Sequence, residues 1–129
     1  MLALTTADVR LFLHVLAATI WVGGQITLGA LVPALRGHEG VTKLAARRYN
    51  MVAWPAFAVL VLTGVWNITA GDMGDAAQRT LEVKLVFVLL SGLGAFLHTR
   101  AKSTAGLAVW GAVGMVGALA ALFFGVQLG

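Results

Sequence analysis

The sequence predicts an all-α integral membrane protein, an up-down bundle of four transmembrane helices with both termini extracytoplasmic. Three observations predict it. Apolar residues make up 60% of the 129 positions and charged residues only 11%, too few charges to cover the surface of a soluble domain. The mean hydropathy is +0.92. The apolar residues gather in four runs of membrane-crossing length, and the basic residues collect in the connections between them.

The first run is Leu11 to Leu35, for a helix over about 9–35. It has no basic segment before it and is too long for the apolar core of a signal peptide, so it is expected to stay in the mature protein. The second helix is expected over 49–70, the third over 81–100 and the fourth over 105–128. Each run is roughly 19–25 residues, and about 20 cross a hydrocarbon core of ~30 Å. None of them alternates as a strand would. Short connections make successive helices antiparallel neighbours in one domain spanning 1–129. The fourth helix is rich in small residues, with Gly114–Ala118 and Gly117–Ala121 as small-xxx-small pairs. Such pairs let helix backbones approach closely in lipid, either within one bundle or across a homodimer.

Charge sets orientation and excludes some functions. The connection 36–48 carries Arg36, Lys43, Arg47 and Arg48, and the connection 100–104 carries Arg100 and Lys102. The opposite side has Arg10 and Arg79 among Asp8, Asp72, Asp75 and Glu82. The excess of basic residues places loops 36–48 and 100–104 in the cytoplasm of a multi-pass plasma-membrane protein. The net charge of +4 is therefore topological, and no nucleic-acid-binding motif accompanies it. The partner implied is the lipid bilayer. With no cysteine, disulfides, thiolate metal sites and cysteine nucleophiles are excluded.

Polar side chains within the apolar runs carry the functional information, because an ionisable group at the bilayer centre costs about 2.5–3.5 kcal/mol on insertion scales. His14, Trp21 and Gln25 share one stripe of the first helix. Tyr49, Ala56, Thr63 and Asn67 share one on the second, and Lys84, Ser91 and His98 one on the third. Lipid would not tolerate these stripes, so they are expected to face the interior. Depth divides them into an outer cluster of His14, Lys84, Asn67, Trp66 and Gln127, and an inner cluster of His98, His38, Tyr49, Met51, Arg47 and Arg48 near Trp110. About twelve residues of depth, roughly 18 Å, separate His14 from His98, so the two cannot share one metal ion. Plainer roles exist. Lys84 can snorkel to the headgroups, His98 can be solvated at the interface, His38 sits in a polar loop, and Trp54, Trp66 and Trp110 can be interface anchors. His14 lies well inside its apolar run and is the hardest to assign to such a role.

The stretch His14-Val-Leu-Ala-Ala-Thr-Ile-Trp21-Val-Gly-Gly24 resembles the first-helix signature of the CopD family of bacterial copper-resistance membrane proteins. The resemblance continues through Arg47-Arg48-Tyr49, Trp54-Pro55, Thr63-Gly-Val-Trp-Asn67, Lys84 and His98, covering roughly residues 10–103. The same order of residues resembles the HemJ-type protoporphyrinogen oxidases, which bind haem b, and the match does not choose between the two. The chain departs from the HemJ pattern at Leu28-Gly29, where those proteins have Leu-Pro, and its own proline comes later, at Pro33. Larger CopD proteins have more helices than four.

The CopD resemblance implies copper binding or transport across a bacterial inner membrane through an intramembrane His/Lys site. His14, His98 and Met51 are the candidate metal ligands. Against copper, the chain offers few of the soft ligands that copper(I) prefers: no cysteine and four methionines. The HemJ resemblance implies haem b with His14 as axial ligand, and Lys84 matters there too. His98, Trp21, Asn67, Arg47, Arg48 and Tyr49 complete the cofactor-binding candidates. No catalytic residue is assigned; an enzyme of this kind would be a haem-dependent oxidoreductase. An accessory subunit of a larger membrane complex is the third reading. Adding two lysines to the connection 71–80 while removing Arg47 and Arg48 is expected to scramble topology, read by reporter fusions at each connection; unaltered orientation would count against the charge rule here.

Overall fold

The computed structural model describes residues 3–70 and 74–128, and among these every regular element is helical. The elements are α1 (Thr6–Ala18), a π-helical turn (Thr19–Gly23), α2 (Gly24–Leu31), a 3₁₀ turn (Val32–Leu35), α3 (Glu39–Thr69), α4 (Asp75–Arg100) and α5 (Thr104–Leu128). Four continuous helical spans among the described residues are long and apolar enough to cross a membrane: Thr6–Leu35, Glu39–Thr69, Asp75–Arg100 and Thr104–Leu128. Large apolar side chains such as Leu62, Leu89 and Phe123 are exposed, as expected where lipid is the solvent. The chain forms two compact units, residues 1–72 and residues 73–129. Gly71, Asp72 and Met73, which open the second connection, lie outside the described residues, as does Met1.

In the first unit α1 packs against α3 and α2 lies along the first turns of α3. The hairpin is antiparallel, since His14 meets Thr63 while Trp21 meets Tyr49. Ala17, Ala53 and Ala56 are buried, and their small side chains allow the helices to approach closely. Thr5 starts α1 with a capping box: its hydroxyl accepts from the Asp8 amide at 3.2 Å, and the Asp8 carboxylate accepts from the Thr5 amide at 2.9 Å. These two bonds satisfy donors that a helix start otherwise leaves unpaired.

The helices run further than the apolar runs suggest. The connection expected over 36–48 shrinks to Arg36, Gly37 and His38, with Gly37 at φ +85° making the corner. A left-handed φ of this kind suits glycine. The residues 39–48 are instead the first turns of α3, which is 31 residues long, or roughly 46 Å at 1.5 Å per residue. Hydropathy marks only the part of a helix that lies in hydrocarbon. Lys43-Leu-Ala-Ala-Arg-Arg48 is polar but made of strong helix formers, so the helix extends beyond its apolar run. For the same reason α4 begins at Asp75 rather than near 81.

In the second unit α4 and α5 form an antiparallel hairpin held by glycine contacts. A Cβ on Gly94 would collide with the backbone of Gly114, and one on Gly117 would lie 2.8 Å from the Ser91 amide nitrogen. Gly114 and Gly117 are buried and lie against α4 of the same chain, so at these two positions the glycine face serves packing within the hairpin. Gly94→Val is expected to destabilise the protein by ~1–3 kcal/mol through overpacking. Gly29→Ala, where a Cβ meets nothing within 4 Å, should be neutral or stabilising by up to ~1 kcal/mol. Unfolding of both variants in detergent reads the difference, and equal effects would refute the glycine contact.

Candidate functional site

The first hairpin is cross-linked by polar contacts at two depths. At the upper one, His14 Nδ1 lies 2.7 Å from Thr63 Oγ1. Thr63 is only 4% exposed and its hydroxyl also lies 2.7 Å from the Val59 carbonyl. That carbonyl can only accept, so the single hydroxyl hydrogen goes to it. Thr19, Thr27, Thr69, Thr80 and Thr99 donate to carbonyls three or four residues back in the same manner. Thr63 Oγ1 then accepts from His14, which puts a proton on Nδ1. This is the arrangement by which metal-ligating histidines are oriented, with one ring nitrogen anchored and the other directed at the ligand.

One turn before His14 on the same face is Arg10. Its guanidinium sits 5.8 Å from the centroid of the Trp66 ring, a cation–π distance. Arg10 Nε is shielded from solvent and has no hydrogen-bond partner among the described residues. A desolvated guanidinium nitrogen with an unused donor suits an anionic group. Asn67 stands beside Trp66 in sequence and is exposed.

At the lower depth the π-helical turn sets the geometry. Such a turn loosens the regular ladder of carbonyl acceptors, and π turns recur at functional sites. The Trp21 carbonyl accepts from Gln25 Nε2 at 2.9 Å and from the Tyr49 hydroxyl at 3.0 Å. Two of the polar side chains expected to face inward, Gln25 and Tyr49, are thus bound to backbone. Gly24 makes the approach of Tyr49 possible, because a Cβ there would collide with the Tyr49 ring. Trp21 is buried and packs on Phe57 and Trp54, with ring centroids 4.5 and 5.3 Å away. Gly23 and Gly64 have nothing within 4 Å of an added Cβ, so neither is required by close packing.

The remaining candidates of the first unit lie apart from His14 along the helices. Arg47 and Arg48 are exposed on the first turns of α3, about 24 Å along the helix from Thr63 at 1.5 Å per residue. Met51 is exposed in an apolar groove of about 410 Å³ with Leu13, Leu16, Pro55 and Val59, and is twelve residues, about 18 Å, from Thr63. In the second unit Lys84 is half-buried, with Nζ 3.3 Å from the position of a Cβ on Gly125. His98 donates from Nδ1 to the Leu107 carbonyl at 2.8 Å, and Gly111 leaves room for its ring. Gln127 is exposed. No group of three His, Cys, Asp or Glu side chains able to hold a metal ion occurs among the described residues.

Three contributors emerge only from the fold. Thr63 stands on the polar stripe, but its role as the anchor of His14 is tertiary. Arg10 stands in the sequence as a topology charge, although its spacing of four from His14 signals a shared face. Gly24 stands in the sequence only as the end of the His14–Gly24 stretch, and in the fold it houses Tyr49. No protein-family model, curated protein or solved structure matches this chain. Tyr49→Phe is expected to cost ~0.6–1.7 kcal/mol, the range for hydrogen bonds between membrane helices. Gly24→Ala should cost more by displacing the Tyr49 ring. Detergent unfolding of both variants checks this, and a neutral Gly24→Ala would contradict the contact.

Proposed function

We propose that this chain is a multi-pass protein of a bacterial plasma membrane that binds haem b through His14 and serves one-electron redox chemistry. The observation that carries the reading is the His14–Thr63 hydrogen bond, which anchors an imidazole by one ring nitrogen within an apolar helical hairpin. The haem-binding expectation fits these residues on two counts. Haem iron would take an imidazole ligand from such a hairpin, and Arg10 has an unused buried donor that would meet a carboxylate. Haem, when bound, supplies the electron transfer, and its potential depends on the axial ligand and on the dryness of its surroundings.

The chain's own part is to hold and orient. Thr63 fixes the imidazole tautomer, Arg10 answers negative charge one turn away, and the apolar helices exclude water. Copper handling, which the CopD resemblance implies, would require several soft donors at one place. Within the first hairpin Met51 and His14 stand about 18 Å apart along the helices, which favours the single-imidazole cofactor. The basic segments 36–48 and 100–104 are cytoplasmic in this reading, by the excess of basic residues.

The purified protein is expected to be red with a Soret band. His14→Ala should lose the band, and Thr63→Val should weaken haem retention by roughly 10–100-fold, the usual effect of removing a ligand's hydrogen-bond partner. A colourless protein that carries copper, or a Soret band unchanged in His14→Ala, would overturn the assignment.

A further inference from the structure

The corner between the first crossing and α3 carries a cleft that no part of the haem reading uses. It encloses about 260 Å³ and is lined by Val32, Leu35, Arg36, Glu39, Thr42 and Lys43. One wall is apolar and comes from the 3₁₀ turn. The other carries two cations and one carboxylate. Arg36 is the first charged residue after the uncharged stretch Leu11–Leu35, and Lys43 precedes the uncharged stretch that begins at Tyr49. The cleft therefore sits where hydrocarbon gives way to headgroups. The Thr42 hydroxyl is spent on the His38 and Leu35 carbonyls, at 3.2 and 3.4 Å, which ties the corner shut and holds Arg36 and Lys43 on one cleft.

We propose that this cleft is a binding site for a phospholipid whose headgroup ends in a primary ammonium, of the phosphatidylethanolamine type. Arg36 and Lys43 bind the phosphodiester. A guanidinium forks onto phosphate oxygens and an ammonium adds a point charge. Val32 and Leu35 bury the start of an acyl chain. Glu39 sets the preference: its carboxylate accepts from a headgroup –NH₃⁺ and repels a headgroup of net negative charge. A quaternary choline headgroup has no N–H to donate to it. Two cations beside one carboxylate thus reproduce, in opposite sign, the phosphate and ammonium of the lipid.

The test is native mass spectrometry of the delipidated full chain with an equimolar mixture of phosphatidylethanolamine, phosphatidylglycerol and phosphatidylcholine. One retained phosphatidylethanolamine per chain is expected. Arg36→Gln and Lys43→Gln should each lower its occupancy by roughly fivefold, the usual effect of one basic residue at a lipid surface. Glu39→Gln should shift the preference to phosphatidylglycerol. All three side chains are exposed, and unchanged far-ultraviolet circular dichroism certifies the folded helices. Equal retention of the three lipids, full retention in the Arg36→Gln/Lys43→Gln double variant, or displacement of the lipid by millimolar inorganic phosphate would overturn the proposal. A choice of phosphatidylglycerol by the unmodified chain would overturn the role of Glu39.

Discussion

Hydrocarbon offers no hydrogen bonds, so each polar group placed in it must find its partner within the protein. This constraint accounts for the main polar contacts of the first hairpin. The threonines of the helices return their hydroxyl hydrogens to carbonyls of the preceding turn. Thr63 does so as well, and that leaves it only the role of acceptor towards His14. The Trp21 carbonyl, in the π-helical turn, receives two side-chain donors. A histidine held by such a partner has its ring orientation set, whereas a solvated one exchanges between tautomers.

The same solvent removes the usual drive to bury apolar side chains, because lipid tails are as apolar as leucine. Packing then depends on how closely backbones approach. In the first hairpin Ala17, Ala53 and Ala56 fill the α1–α3 contact; in the second, Gly94, Gly114 and Gly117 bring α4 and α5 to backbone contact. Where a polar side chain must enter such a contact, a glycine accompanies it: Gly24 for Tyr49, Gly111 for His98, Gly125 for Lys84. A side chain at Gly24 would displace the Tyr49 ring, and one at Gly111 or Gly125 would press on His98 or Lys84.

The four long apolar helices are legible in the sequence because a run of some 20 apolar residues has the length and composition of a membrane span. Helix ends are less legible. Charged helix-forming segments such as Lys43–Arg48 are invisible to hydropathy, and α3 starts some ten residues before its apolar run. His14 stands out as an ionisable group inside hydrocarbon, and its stripe with Trp21 correctly joins two residues that both contact α3. The partner of His14 is harder to see: Thr63 is one of many threonines, and only the antiparallel register of α1 and α3 selects it. The π-helical turn is also hidden. Periodicity assumes 3.6 residues per turn, and a local change to a wider turn leaves no compositional mark. Gln25 and Tyr49 sit on stripes expected to face the interior, and both serve the carbonyl that this turn presents.

The claim on which the functional reading turns is the protonation of one nitrogen. Nitrogen NMR of the ¹⁵N-histidine-labelled protein, with the His14 signals assigned by their loss in His14→Gln, measures it directly. Protonation at Nδ1 with an unprotonated Nε2 in the cofactor-free protein, becoming a mixture of tautomers in Thr63→Val, is the expected result. A His14 ring protonated at Nε2, or one indifferent to the removal of the Thr63 hydroxyl, would contradict it.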